Sequence, residues 1–194
     1  MDVKEFIIPE GYPFEGKSLD ILISADEIKK RVEELALQIS EKFKGTVPIF
    51  VGVMNGSFMF FADIMRELSI DFEVDFIKID SYGSRTSSSG TVRLLKDISA
   101  DITNRNVVVV EDIIDTGLSI QFLKHRLEDA LPKSVTFVTL LLKKDIAKVS
   151  FDIDYVGFDI PNRFVVGYGL DYNQGLRGLK HILAFKEGDI IDGE

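Results

Sequence analysis

The segment VVVVEDIIDTGLS, residues 107–119, concentrates side chains able to do chemistry. Four valines in a row predict a buried strand, so Glu111 and Asp112 are expected at its carboxyl end, in an acidic turn, where open α/β sheets meet their ligands. Two adjacent carboxylates there suit ribose hydroxyls, or a magnesium ion reached through water. Asp115, Thr116, Gly117 and Ser119 then lead into a helix expected from about Leu118. Small hydroxyl residues and a glycine at a helix N-terminus make an anion site from backbone N–H groups and the helix dipole. Each of these residues alone reads as a helix cap or an ordinary loop acid. Together they demand more, because acids beside a phosphate cradle repel the ligand unless a cation or sugar hydroxyls lie between them. A phosphorylated sugar carrying magnesium meets both requirements. The sequence has neither a P-loop pattern nor a G-x-G-x-x-G fingerprint, which disfavours ordinary nucleoside triphosphate and dinucleotide sites.

The elements that must position this segment are visible on either side of it. Ser24 and Glu27 form a capping-box pattern, and Ile28, Val32, Leu35, Ala36, Ile39 and Phe43 follow on one helical face until Gly45. Residues 47–53 are a nearly continuous apolar run, expected as a strand buried on both faces, and Asn55, Gly56 and Ser57 break it. Phe58, Phe61, Ala62, Met65 and Leu68 recur at helical spacing, and residues 73–80 alternate apolar with charged side chains as a half-buried strand does. The stretch SYGSRTSSSG, residues 81–90, is polar, small and rich in glycine and serine, and predicts a mobile loop. A helix at about 118–130 and an apolar run at 135–142 complete an alternation that predicts an α/β fold, a parallel sheet flanked by helices with right-handed crossovers. Strand-like pieces at 155–158, 164–168 and 181–185 then follow between turn signals, expected to finish the sheet and build a cap. No repeat or linker interrupts the chain. A single domain over 1–194 is expected, its core at about 24–150 and its cap drawn from the N-terminal segment and 151–194.

Composition narrows the function classes. A length of 194 residues, 45% of them hydrophobic, suits one domain with a sizeable core. The 23 basic and 32 acidic residues leave a net charge of -9, which repels a nucleic-acid backbone, so no nucleic-acid partner is expected. With no cysteine there are no disulfides, thiolate nucleophiles or cysteine-bound metals. The opening MDVKEFIIPE lacks the basic start and apolar stretch of a secretory signal, and no segment approaches a membrane span, so a cytoplasmic location without membrane contact is expected. His125 falls within a helical pattern and His181 begins an apolar run; neither has metal-ligand spacing, and both read as structural or surface residues.

Residues 107–119 resemble the binding motif of the type I phosphoribosyltransferases, and the EDIIDTG core is similar to that of the hypoxanthine-guanine members. VGVMNGSF at 51–58 resembles the family's pyrophosphate loop, Ser81 and Tyr82 its flexible lid, Leu142 and Lys143 its purine-contacting lysine, and FVVGYGLDYN at 164–173 its base-binding segment. The resemblance implies the type I phosphoribosyltransferase fold with a small cap, and an enzyme of purine salvage. Its implied reaction is magnesium-dependent transfer of the 5-phosphoribosyl group from phosphoribosyl pyrophosphate to hypoxanthine or guanine, giving IMP or GMP and pyrophosphate. By the same resemblance Glu111 and Asp112 would hold the ribose hydroxyls and nearby magnesium, and Asp115, Thr116, Gly117, Leu118 and Ser119 the 5′-phosphate. Asp115 would also serve catalysis, accepting or sharing a proton at purine N7. Lys143 would donate to the purine O6, Phe164 would stack on the base, and Val165 would meet it through its backbone. Asp171 would join the base site and reach magnesium on the pyrophosphate, and Asn55, Gly56 and Arg177 would contact the pyrophosphate itself. The family usually forms dimers or tetramers, so a homodimer or homotetramer is implied. Two positions depart from the family: Asn55 stands where lysine is common, and Leu118 where some relatives carry lysine. The lysine contacts do not carry over to this chain, whereas a cradle of backbone donors does.

Three other readings compete. A regulator that senses phosphoribosyl pyrophosphate and binds nucleic acid requires a basic face, against the acidic balance. A receiver-like signalling domain would use Glu111 and Asp112 as magnesium ligands but leaves residues 164–171 unexplained. An enzyme of the same class that prefers xanthine fits the same residues.

Overall fold

Ser24 and Glu27 make the reciprocal contacts that their spacing predicts. Ser24 Oγ accepts from the Glu27 N–H at 3.3 Å, while Glu27 Oε2 accepts from the Ser24 N–H at 2.9 Å and from its hydroxyl at 2.5 Å. Two orphan donors at a helix start are thereby satisfied, and the apolar face from Ile28 to Phe43 is buried throughout. Gly45, in the left-handed region at φ 75°, follows the helix end.

The computed structural model describes residues 4–82, 91–186 and 188. In chain order its strands are β1 (Glu5–Ile7), β2 (Ser18–Ile23), β3 (Ile49–Met54), β4 (Glu73–Tyr82), β5 (Thr91–Lys96), β6 (Asn106–Ile114), β7 (Ser134–Leu142), β8 (Tyr155–Asp159), β9 (Val165–Val166) and β10 (Ile182–Ala184). The helices are α1 (Ala25–Lys42), α2 (Phe58–Glu67) and α3 (Leu118–Glu128). The chain divides into two units, one of residues 32–162 and one of residues 1–31 with 163–194. No helix of the described residues is long and apolar enough to cross a membrane.

The larger unit is a six-stranded sheet in the order β5-β4-β3-β6-β7-β8, parallel except for β5, which runs antiparallel to β4. Its strands from β3 to β7 follow the predicted α/β alternation, and α2 and α3 supply the flanking helices. Val51, Val53, Val107 and Val109 pack with Leu123 and Leu127 of α3 into one core. Chain order reverses direction between β3 and β6, the place where open sheets of this class open a crevice at their carboxyl ends.

One expectation is corrected. The strand expected at 107–110 continues to Ile114, and Glu111, Ile113 and Ile114 keep their ladder partners Thr139, Leu141 and Leu142 of β7. Carboxylates inside an apolar run read as a turn, but pairing along a central strand outweighs that signal and draws both acids into the protein.

The smaller unit is an antiparallel sheet in the order β1-β2-β10-β9. The segments at 164–168 and 181–185 thus join this second sheet rather than finishing the parallel one, whose edge strand is β8. Ile8, Leu19, Val166, Leu183 and Phe185 form its core. Arg163 ties it together by an ion pair with Asp20 and by bonds to the Phe185 carbonyl at 2.7 and 3.2 Å. His181 proves structural: its Nδ1 accepts the Ala25 N–H at 3.0 Å, capping α1.

Candidate active site

Three adjacent parallel strands, β3, β6 and β7, end on the same edge of the larger unit. Apart from Ser81 and Tyr82, which close β4, the sequence-predicted residues of this unit lie there: Asn55 and Gly56 after β3, Glu111 and Asp112 near the end of β6, Asp115, Thr116, Gly117, Leu118 and Ser119 from β6 into α3, and Lys143 just after β7. The structure therefore gathers residues nearly ninety positions apart around one strand edge.

Glu111 and Asp112 are 8% and 9% exposed, so a charge on either is poorly hydrated. Burial, then the charge of Asp112, then the hydrogen bond between the two carboxyls push Glu111 well above the usual carboxylate range. Glu111 Oε2 is buried without a hydrogen-bond partner among the described residues. Asp112 reaches toward β3: a Cβ built on Gly56 would stand 1.7 Å from Asp112 Oδ2 and 2.6 Å from its Cγ. Only glycine admits that carboxylate. Ser57 secures the same turn from beneath, its buried hydroxyl donating to the Val53 carbonyl at 2.5 Å. The Met54–Asn55 peptide is cis, and Asn55 is exposed.

Asp115 and Thr116 are exposed at the start of the next loop, and Gly117 is buried in the left-handed region at φ 90°. Gly117 is the N-cap of α3, and Leu118 and Ser119 open the first turn. The Asp115 carboxylate accepts from Lys143 Nζ at 3.0 Å; the lysine side chain is 8% exposed and that of Asp115 50%. The Lys143 N–H also donates to the Ile114 carbonyl at 3.0 Å. The residue expected to handle a proton and the one expected to donate to a purine are thus partners.

The smaller unit holds its own group. Asp171 pairs with Arg177 at 2.8 Å and accepts the Gln174 N–H at 2.8 Å, while Arg177 also donates to the Gly169 carbonyl at 2.7 Å and to Gln174 Oε1 at 2.8 Å. Tyr168, Asn173, Gln174 and Leu176 all have positive φ, a concentration of backbone strain of the kind that functional loops keep. Phe164 packs edge-on against Tyr172 and Phe185, with ring centroids 6.2 and 5.7 Å apart, and Val165 is buried in β9. Ser81 and Tyr82 close β4, paired with Val92 and Thr91 of β5; the rest of the expected mobile loop, 83–90, lies outside the described residues.

A family model described as "Phosphoribosyl transferase domain" matches residues 19–173. The chain belongs to the phosphoribosyl transferase family. Among the relatives of this phosphoribosyltransferase, the hypoxanthine-guanine phosphoribosyltransferase of Bacillus subtilis is 39% identical over 166 residues, covering 86% of this chain and 92% of that one. The enzyme of the same name from Mycobacterium bovis is 41% identical over 179 residues, covering 89% of this chain and 88% of its own. A solved hypoxanthine-guanine phosphoribosyltransferase from Bacillus anthracis superposes with a TM-score of 0.82 at 46% identity, covering 86% of this chain and 98% of that one. The phosphoribosyltransferase is thus an enzyme of the glycosyltransferase type, built on the α/β fold expected of it.

Sequence reasoning missed the residues behind the loop. Lys148 donates its N–H to the Thr116 carbonyl at 3.0 Å, and its own carbonyl accepts from the Gln121 side chain. Lys148 lies in a segment with no motif of its own, brought to the loop because β7 runs beside β6, whereas Gln121 stands in the first turn of α3, just past the motif.

Proposed function

We propose that the chain transfers the 5-phosphoribosyl group of phosphoribosyl pyrophosphate to hypoxanthine or guanine, releasing pyrophosphate and serving purine salvage. The observation that carries the reading is the meeting, at one strand edge, of the buried pair Glu111 and Asp112, the Gly117 loop at the start of α3, and the Asp115–Lys143 pair. In this reading the loop from Asp115 to Ser119 takes the 5′-phosphate on its N–H groups and Glu111 and Asp112 accept from the ribose hydroxyls. Asn55, Gly56 and Arg177 serve the pyrophosphate. Lys143 donates to O6 of the base, which an adenine amino group cannot accept, so 6-oxopurines are favoured. Asp115 takes or shares the N7 proton as the base attacks the ribose carbon and the bond to pyrophosphate breaks. Phe164, Val165 and Asp171 serve the base, and Ser81 and Tyr82 belong to a lid that keeps water from the developing ribosyl cation.

Magnesium fits the donors. Glu111 Oε2 is a buried hard oxygen without a partner, and Asp112 stands beside it. No cluster of three or more His, Cys, Asp or Glu is gathered as a ligand set among the described residues, which suits an ion held by one or two carboxylates, water and substrate phosphates. Glu111 and Asp112 would hold magnesium near the ribose, Asp171 would reach magnesium carried by the pyrophosphate, and the metal would neutralise charge on the departing pyrophosphate. A homodimer or homotetramer in the cytoplasm completes the proposal.

The test is purified protein with magnesium and phosphoribosyl pyrophosphate, offered hypoxanthine, guanine, xanthine and adenine separately while nucleotide formation is followed. Turnover with hypoxanthine or guanine that falls about 10²-fold or more in Asp115→Asn is expected. Xanthine as the best base would reassign the substrate, and binding of phosphoribosyl pyrophosphate with no turnover of any base would turn the reading to a regulator.

A further inference from the structure

No side chain caps α3: Gly117 at its N-cap has none, so the loop before it needs another source of shape. Residues 143–149 supply it as a strap running alongside. The Lys148 N–H donates to the Thr116 carbonyl at 3.0 Å, the Lys148 carbonyl accepts from the Gln121 side-chain amide, and the Gln121 N–H donates to the Gly117 carbonyl at 3.1 Å. These bonds close a ring through the loop, the strap and the first turn of α3. Gly117 backs onto the strap so closely that a Cβ there would stand 2.8 Å from Val149 Cγ2 and 3.1 Å from the Lys148 carbonyl oxygen. The strap begins at Lys143, whose N–H holds the Ile114 carbonyl and whose ammonium holds Asp115.

The direction of these bonds matters. In a planar trans peptide the carbonyl and the following N–H point in opposite directions. Pinning the Thr116 carbonyl to the strap therefore turns the Gly117 N–H away from the Lys148 N–H that holds that carbonyl. The Gln121 amide bonds neither the acids nor the loop, so its influence on a ligand passes through Lys148.

We infer that Gln121 is a positioning residue for the 5′-phosphate cradle, fixing the strap so that the loop donors are aimed before the ligand arrives. The inference rests on the phosphoribosyl transfer proposed above. Gln121→Met keeps the length of the side chain and removes the donor. The expected result is a rise of about 3- to 10-fold in KM for phosphoribosyl pyrophosphate, the equivalent of one hydrogen bond, with kcat and KM for the base within about twofold. Lys148→Ala keeps both main-chain bonds and is expected to leave all three values within about twofold. An unchanged KM for phosphoribosyl pyrophosphate in Gln121→Met overturns the inference, as does a parallel worsening of both KM values and kcat. Should the unsubstituted protein turn over no base, calorimetric titration with magnesium phosphoribosyl pyrophosphate separates the two readings. Weaker binding by Gln121→Met then supports the positioning role although the transfer reaction has failed, equal affinity overturns it, and absence of binding to the unsubstituted protein overturns both.

Discussion

Gly56→Ala tests whether the two acids near the end of β6 work from the positions described. Gly56 does not lie in the left-handed region, so alanine meets no backbone penalty there and the perturbation is steric alone. The new Cβ would stand 1.7 Å from Asp112 Oδ2, whereas real Cβ atoms essentially never come within 3.0 Å of another heavy atom. The carboxylate must therefore retreat by about 1.3 Å at least, the difference of those distances. It shares a hydrogen bond with Glu111, which is buried and already lacks a partner at Oε2. Driving Asp112 off its rotamer costs about 0.5–1.5 kcal/mol, and stranding a buried carboxyl about 1–3 kcal/mol more. A loss of roughly 2–4 kcal/mol of stability follows, and displacement of a positioning group by 1 Å costs activity on the order of 10²-fold.

Equilibrium denaturation and steady-state kinetics on the same preparations measure both quantities. The decisive arm is a double-mutant cycle with Asp112→Ala, which removes the two clashing atoms nearest to the new methyl group. In that background Gly56→Ala should cost under about 0.5 kcal/mol, within the range of an unremarkable substitution. A penalty that persists unchanged without the Asp112 carboxylate, or a Gly56→Ala protein of ordinary stability and activity, would refute the reasoning.

Two further outcomes are expected. Glu111 has a folded pKa raised above its ordinary 4.5, so its contribution to stability is complete below that value and is lost as pH rises through the folded one. Glu111→Gln, neutral at every pH, should gain stability relative to the unsubstituted protein as pH rises from 5 to 8, in denaturant titrations; a constant difference would contradict the neutral-acid assignment. Gly117→Ala must place a side chain at φ 90° and 2.8 Å from Val149 Cγ2, so KM for phosphoribosyl pyrophosphate should rise about 10-fold or more while KM for the base changes less. Equal effects on both substrates would show that the loop is not a separate phosphate cradle.

Local signals were readable wherever the physics was local. The Ser24–Glu27 box and the stripe from Ile28 to Phe43 are spacing rules, and α1 obeys them. Buried strands betray themselves by unbroken apolar runs, which is why β3, β6 and β7 were legible. What stayed hidden depends on distant partners. β2 is six residues long and pairs with β10, about 160 positions away, and β5 follows a polar stretch and gains its identity from β4. The capping of α1 by His181 is of the same kind, a contact between ends of the sequence. At the site, the residue types were legible in VVVVEDIIDTGLS, but the burial of Glu111, the reach of Asp112 over Gly56 and the pairing of Asp115 with Lys143 required the neighbouring strands.

That pairing also changes the electrostatic argument drawn from the sequence, where three acids beside an anion cradle called for a cation or sugar hydroxyls between them. Two full charges 4 Å apart cost about 4 kcal/mol at an effective dielectric constant of 20, enough to turn away a phosphate. In the folded chain, however, Glu111 is held toward its neutral form and bonded to Asp112, and the Asp115 charge is met by the ammonium of Lys143. The third acid, Asp112, lies on the β3 side, over Gly56, rather than in the loop before α3. The loop donors therefore face a field much weaker than the composition of the segment suggests. Burial and the neighbouring Asp112 hold Glu111 toward its neutral form, and hydroxyl donors or a hard cation arriving beside it would favour its charged form instead.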